Sequence, residues 1–412
     1  MLFCAPCGDV LGPMATFLPD ALATTTAELA NAGAEPISRE TACRLLGAAG
    51  DVLPSLLAAA QLARARFKPG VITYSRKVFL PLTNLCRDYC GYCTFRRDPG
   101  EPGAHTMTPD EVMEVVRAGE RMGCTEALFS LGDKPELLFP EMRDTLRRLG
   151  YKSTLRYLEA MCEKVLRESS LLPHPNPGLM TAEWLDRLAR VAPSVGLMLE
   201  TTSTRLLAKN AAHDNAPDKE PAKRLRVIED AGRRKIPFTT GILIGIGETL
   251  EERVDSLIAI RNLHARYGHI QEVIVQNFRA KSRTPMAQWL EPGREEMLRT
   301  LAVARLLMPK MNIQAPPNLS DPHYADLLDG GISDWGGVSP LTPDFINPEK
   351  PWPHLEELQK RTEAKGFELR QRLPVYPEFA EQAATHSNLL AERLSSAVDA
   401  EGYAQNQRKR AA

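Results

Sequence analysis

A closed (β/α)8 barrel of the TIM type, preceded by a helical leader and followed by an extension, is the fold this sequence predicts. Three observations predict it. Short apolar runs alternate with amphipathic stretches from residue 75 to residue 345, as in a parallel sheet with helices outside. Eight such units over about 260 residues suit a closed barrel better than an open sheet. The polar and sulfur-bearing residues gather where strands end, which is where a parallel barrel holds its reacting groups. The 412 residues therefore divide into a leader (1–74), a barrel (75–345) and an extension with a polar tail (346–412).

The elements follow in order. Residues 38–66 read as a leading helical segment, with Ser38 as cap, Ile37 as staple and Pro54 as a kink or division. Val78–Leu82 is a first strand. Thr108-Pro-Asp-Glu111 is a capping box with proline at the first helical position, and Gly123 closes that helix. Ala127–Leu131 is a second strand, 155–167 a helix, and Leu171-Leu172 a third strand before His174. Residues 182–191 are helical and Val195–Leu199 extended. Lys223–Lys235 is a helix whose basic run (Arg224, Arg226, Arg233, Arg234, Lys235) reads as a solvated face. Thr239–Ile246 is a strand, Thr249–Glu252 caps the next helix, Val273–Phe278 is a strand, and Glu295–Leu307 is a helix. Ile313–Ala315 and Gly331–Val338 complete the eight, in a region broken by Pro316, Pro317, Pro340 and Pro343. Ser395–Ala412 reads as a solvated tail.

Composition narrows the function classes. With 51 basic against 52 acidic side chains and a net charge of −1, a strongly basic nucleic-acid surface is not expected. No apolar run approaches the roughly 18 residues of a membrane span, and Met1–Pro13 lacks the pattern of a secretion signal. A cytoplasmic enzyme working on a small molecule is the expectation.

The 8 cysteines are informative by position. Cys86, Cys90 and Cys93 fall within eight residues, and a glycine between the last two lets the sulfurs turn to one point. Zinc would want a fourth ligand and usually a repeated paired spacing, absent here. Three thiolates suit a [4Fe-4S] cluster with one iron open. Cys4 and Cys7 form a terminal pair without a partner pair, and Cys43, Cys124 and Cys162 read as core fillers.

At this point the residues carry a resemblance. Cys86-x3-Cys90-x-Tyr92-Cys93 resembles the signature of the radical S-adenosylmethionine (radical SAM) superfamily. Gly132-Asp133 stands where that superfamily has its methionine-binding motif, although Gly-Asp-Lys-Pro-Glu136 replaces Gly-Gly-Glu. Gly241 to Glu248 resembles its G-x-I-x-G-x-x-E pattern, with Leu243 at the isoleucine. Together with Leu171-Leu-Pro-His174-Pro-Asn176 and the stretch from Thr239 to Met286, these segments are similar to the 7,8-didemethyl-8-hydroxy-5-deazariboflavin (FO) synthases, specifically the cyclising, CofG-type subunit.

The resemblance implies a radical SAM barrel in which Cys86, Cys90 and Cys93 hold the cluster and S-adenosylmethionine binds its open iron. It implies that Tyr92, Gly132, Asp133 or Glu136, Glu200, Ser203, Gly241 and Gly245 contact that cofactor. Each also has a plain reading, as core aromatic, helix-terminal acid, structural hydrogen bond or tight glycine packing; for Glu248 the plain reading is a helix start. His174, Asn176, Gln276, Asn277, Arg279 and Lys281 lie at strand exits and would meet the substrate, or would be satisfied structural groups. The implied substrate is a ribitylaminouracil–tyrosine adduct made by a CofH-type partner enzyme. Cyclisation would release ammonia and form the deazaflavin, with a flavodoxin or ferredoxin as electron donor. Two alternatives stay open: another radical SAM barrel, biotin-synthase-like or tyrosine-lyase-like, and a non-catalytic iron–sulfur carrier. The absence of cysteine after Cys162 speaks against auxiliary clusters, and a carrier would normally use four cysteines.

Overall fold

The computed structural model describes residues 35–405; Cys4, Cys7 and the last seven residues lie outside them. The leader is two helices, α1 (Arg39–Gly47) and α2 (Leu53–Phe67). The Ser38 hydroxyl accepts from Thr41 N at 3.2 Å, and Pro54 lies in the first turn of α2, so it starts a helix rather than bending one. The barrel then runs β1 (Val71–Thr83), α3 (Pro109–Arg121), β2 (Glu126–Leu131), α4 (Pro140–Arg148), α5 (Thr154–Glu168), β3 (Leu172–Asn176), α6 (Ala182–Leu188) and β4 (Val195–Gly196). It continues with α7 (Pro221–Arg233), β5 (Phe238–Ile244), α8 (Leu250–Tyr267), β6 (Ile270–Asn277), α9 (Arg294–Leu307), β7 (Ile313–Gln314) and β8 (Asp334–Val338).

Hydrogen-bonded neighbours follow the order β3-β2-β1-β8-β7-β6-β5-β4, every pair parallel. This is the expected barrel, nearly closed, with no ladder between β3 and β4. Both capping boxes form, Thr108 with Glu111 and Thr249 with Glu252. No single helix among the described residues is long and apolar enough to cross a membrane.

Several expectations need correction. β1 begins at Val71 rather than Val78, because its first half turns Thr73 and Ser75 inward, where they bond Asp334 and Glu126. An apolar run does not betray such a strand. Helix α4 carries no periodic signal in the sequence; Met142 and Leu146 are its buried side chains, too few to mark a period. Arg224 is not on a solvated face: it is buried and donates to Met198 O at 2.6 Å and Asp218 O at 3.0 Å.

The extension is also more than a polar tail. It contains α10 (Leu355–Ala364), β9 (Glu368–Arg372), α11 (Ala380–Ala384) and α12 (Asn388–Ala397). β9 pairs in parallel with the start of β1, from Val71↔Glu368 to Ser75↔Arg372. Leu373, Val375, Tyr376, Phe379, Leu390 and Leu394 form an apolar cluster with Leu166 and Leu172. Arg372 enters the barrel from below and pairs with Asp334 of β8 at 2.6 Å and Glu272 of β6 at 3.1 Å. Pro374 O accepts from Ser194 Oγ at 2.7 Å and Gln271 Nε2 at 3.0 Å. Residues 368–379 thus plug the N-terminal end of the barrel, and the open mouth is left at the C-terminal strand ends.

The lower barrel also carries a pH dependence. His269, fully buried, can only donate from Nε2 to Ile228 O at 2.8 Å, and its Nδ1 has no partner among the described residues. Burial pushes its pKa down from 6.5 to about 4. The folded value lies below the unfolded one, so the contribution is complete above pH 6.5 and is lost as pH falls toward 4, a loss of at most about 3 kcal/mol. His174, held at about 4 by burial, adds to the same window. Urea midpoints should therefore be flat above pH 6.5 and fall below it, and His269→Gln should flatten part of the fall. Equal slopes in the two proteins would refute the assignment.

Candidate active site

The cysteine loop leaves β1 at Thr83 and is clamped at its base by Asn84. The Asn84 side chain donates to Gly103 O at 2.7 Å and accepts from His105 N at 2.8 Å. Three other strand-end loops hold the rest. Arg87 N donates to Asp133 O after β2, Gly91 N to Ala212 O and Tyr89 N to Asn215 O after β4, and Met286 N after β6 donates to Gly91 O. Gly132 is where β2 meets this loop most closely. A Cβ there would stand 1.9 Å from Leu85 O and 2.6 Å from Cys86 Cβ, so only glycine fits.

Cys86, Cys90 and Cys93 line a cavity of about 320 Å³ at the barrel mouth, within the usual range for small-molecule sites. Asp88 N and Asp133 N point at Cys86 Sγ from 3.4 and 3.2 Å, donors that stabilise a thiolate. Burial holds the free Cys86 thiol well above its ordinary value and raises Cys90 to about 12. Metal binding, rather than solvent, would ionise them. Among the described residues, the only His, Cys, Asp or Glu trio whose ligand atoms lie within 4.8 Å of one another is Asp88, Asp133 and Asp218. The three sulfurs are thus spread wider than the roughly 4 Å that 2.3 Å bonds to one tetrahedral zinc would give. The donor set fits a cluster.

The other expected residues separate into those the fold brings to this cavity and those it does not. Tyr92, Gly132, Asp133, Asn176, Glu200, Gln276, Asn277, Arg279 and Lys281 line it. Tyr92 Oη lies 3.1 Å from His213 Nε2. Asp133 is buried, salt-bridged to Lys134 at 2.6 Å and bonded by Leu179 N at 2.9 Å; burial pushes it up to about 6, against the pull of Lys134. Glu200 pairs with Lys219 at 2.6 Å. Burial alone would raise its carboxyl, but Lys219 and Arg224 hold it below the ordinary value. Among the described residues, Asn277 Oδ1 and Arg279 Nε are buried without partners, although Arg279 Nη1 pairs with Glu291 at 2.6 Å.

Elsewhere the plain readings fit the surroundings. Glu136 turns away to accept from Thr154 N at 3.1 Å and Oγ1 at 2.6 Å, at the start of α5. Ser203 Oγ donates to Glu252 at 2.6 Å. Gly241 lies against Ile274 O and Gly245 against Pro292, and Glu248 accepts from Gly245 N and Ile246 N, both at 2.9 Å. His174 Nδ1 meets Ser194 Oγ at 2.7 Å, beneath the cavity. Cys124 and Cys162 are buried and Cys43 is half-buried.

The sequence reading missed Lys77, Asp88, Gln314, Asp218, Lys219, Asn347 and Trp352. Lys219 sits in a single 3-10 turn and Trp352 in a proline-rich strap, neither of which has a periodic signal. The Lys77 position was legible from alternation with Phe79, since both face inward.

Residues 80–260 match the family described as "Radical SAM superfamily". Over 336 residues the chain is 48% identical to the 7,8-didemethyl-8-hydroxy-5-deazariboflavin synthase of Methanopyrus kandleri, covering 81% of this chain and 100% of that one. It is 53% identical over 346 residues to the FO synthase of Streptomyces coelicolor and over 354 residues to that of Mycobacterium tuberculosis. Those matches cover 81% and 82% of this chain but 40% and 41% of theirs, so the chain spans about two fifths of their length. Among solved structures, the [FeFe]-hydrogenase maturase HydG from Carboxydothermus hydrogenoformans superposes with TM-score 0.71 at 19% identity, over 91% of this chain and 88% of that one. Methylornithine synthase gives 0.66 at 18%, over 84% and 97%. These two speak for the fold alone. The relative matched over its whole length, the cysteine loop and the barrel together show that the chain belongs to the 7,8-didemethyl-8-hydroxy-5-deazariboflavin synthase family of the radical SAM superfamily.

Proposed function

We propose that this chain is the cyclising enzyme of deazaflavin precursor synthesis. It takes the adduct of 5-amino-6-ribitylaminouracil with a tyrosine-derived fragment, made by a separate CofH-type enzyme. It closes the central ring, releases ammonia and yields 7,8-didemethyl-8-hydroxy-5-deazariboflavin. The observation that carries this reading is the match to a synthase covered over its full length, joined to a mouth cavity lined by three thiols and several side-chain amides.

A [4Fe-4S] cluster with S-adenosylmethionine on its open iron would supply the hydrogen-abstracting radical. The protein's own residues do the rest. Cys86, Cys90 and Cys93 would hold the cluster, and the amides aimed at Cys86 Sγ would lessen the charge on that sulfur. Asp133 or Glu200 would take the amino or hydroxyl groups of the cofactor; both carboxylates are buried and already face cations, which fixes their orientation. Asn176, Gln276 and Asn277 offer donors and acceptors at the strand ends to a ring edge or to ribityl hydroxyls. Phe79, Leu128, Leu243, Phe278 and Trp352 line the cavity and exclude water from the reacting carbon. A low-potential donor such as flavodoxin or ferredoxin would supply the electron.

The test is turnover by the anaerobically reconstituted protein with reductant, S-adenosylmethionine and the partner's adduct. The expected products are 5′-deoxyadenosine, ammonia and the deazaflavin. Production of 5′-deoxyadenosine without deazaflavin would keep the superfamily assignment and refute the substrate.

A further inference from the structure

Lys77 and Gln314, both lining the cavity, form no side-chain hydrogen bond or ion pair with another described residue. Lys77, on the inner face of β1, is 7% exposed. Among the described residues its ammonium meets no acceptor, only the rings of Trp352 at 4.9 Å and Phe79 at 5.6 Å. The nearby carboxylates are engaged elsewhere. Glu126 accepts from Ser75, and Asp344 accepts from Asn318 Nδ2, Ile346 N and Asn347 N. Gln314, at the end of β7, is also 7% exposed, and its side-chain amide has no hydrogen bond to any described residue.

Room for both comes from one place, the Gly336-Gly337 pair of β8. A Cβ on Gly336 would stand 1.9 Å from Gln314 Nε2, and one on Gly337 would stand 2.3–2.6 Å from Lys77 Cδ, Cε and Nζ. Gly336 also has φ +75°, a conformation that side chains disfavour. Two consecutive glycines of β8 thus let an unpaired ammonium and an unpaired amide reach the cavity from the strands on either side of it, β1 and β7.

Both side chains are largely covered and bond no described residue, so a ligand in the cavity they line is what can satisfy their polar atoms. We propose that Lys77 and Gln314 form the subsite for the pyrimidinedione ring of the substrate. The ammonium donates to one ring carbonyl oxygen, and the primary amide pairs with the adjacent ring N–H and carbonyl. Trp352 supplies a flat apolar wall beside them. The pairing matches an imide edge, which offers acceptor, donor and acceptor in a row. A phenol, with one oxygen, would leave the amide half-satisfied. The inference rests on the proposed function and assigns the polar-ring end of its substrate to the β1–β7–β8 side of the barrel.

Lys77→Met and Gln314→Leu test it in the cluster-loaded enzyme. Calorimetric titration with 6-ribitylaminouracil should show affinity weakened roughly 10- to 100-fold by Lys77→Met, the range for a lost charge-assisted hydrogen bond. Affinity for a tyrosine-derived phenol should stay within about twofold. kcat/KM for the adduct should fall in parallel with the first, while iron content stays at the wild-type level. Thermal midpoints without substrate should match that of the wild type, because neither side chain hydrogen-bonds another described residue. A lowered midpoint or failure to fold would make the residues structural and overturn the proposal, as would unchanged ring affinity in both variants or a loss confined to the phenol. If the wild type neither binds the ring compound nor turns over the adduct, the proposed function itself fails and takes this subsite with it. Turnover that is normal in the wild type and in both variants overturns the subsite alone.

Discussion

Cys90→Ala is expected to leave a folded barrel that retains almost no cluster iron and makes no detectable 5′-deoxyadenosine. The wild type should hold about four iron atoms per chain after anaerobic reconstitution. The loop would keep its course without the sulfur, because its anchors are backbone hydrogen bonds, Gly91 N to Ala212 O and Met286 N to Gly91 O. With two thiols left, the cluster loses one of its three protein ligands. The loss in activity should exceed the roughly 10- to 100-fold that follows removal of an outer-shell partner. Cys124→Ala is the control: that thiol is buried in the core, and its loss should lower stability modestly while iron stays. Iron near zero in the wild type, or undiminished in Cys90→Ala, would overturn the cluster assignment.

Arg372→Ala should be the most destabilising single change outside the apolar core, by about 3–5 kcal/mol in urea unfolding. Arg372 is 3% exposed and bridges Asp334 at 2.6 Å to Glu272 at 3.1 Å, and Tyr376 Oη donates to Glu272 at 2.9 Å. Removing the guanidinium leaves two buried carboxylates facing each other without the cation that bridges them. Their repulsion, more than the lost contacts, sets the size of the effect. The damage should also reach the mouth, since Asp334 lies two residues before the glycine pair of β8. A destabilisation below about 1 kcal/mol, the scale of a surface pair, would show that this end of the barrel is wetter than its geometry implies.

What the sequence made legible is what repeats or what chemistry demands. Alternating strands and helices gave the barrel, the capping boxes at Thr108 and Thr249 gave helix starts to the residue, and the cysteine spacing marked the loop whose three thiols line the mouth cavity. The remainder escaped for physical reasons. β1 and β9 present polar inner faces, Ser75 and Arg372 among them, whose partners are distant in sequence, so hydrophobic periodicity is silent there. Arg224 looked like one more charge in a basic run, and only the tertiary fold sends it inward to Met198 O. Glu136 and Asp133 were equivalent candidates by position; the turn at Lys134, with φ 37°, directs one acid to the cavity and the other to α5.

The strand that plugs the bottom of the barrel also sets an order of events in synthesis. Lys68 and Glu378 meet at 2.7 Å although 310 positions separate them in the chain, and β9 completes the sheet beside β1. Contacts of such separation form only after a large loop has closed, late in folding. The cysteine loop emerges from the ribosome early, long before its barrel has a floor. Its thiols therefore wait, exposed to oxidation, until the last quarter of the chain arrives to fix the strands that aim them. On the proposed function, cluster delivery would accordingly follow translation, timed by the arrival of a segment that carries no cysteine at all.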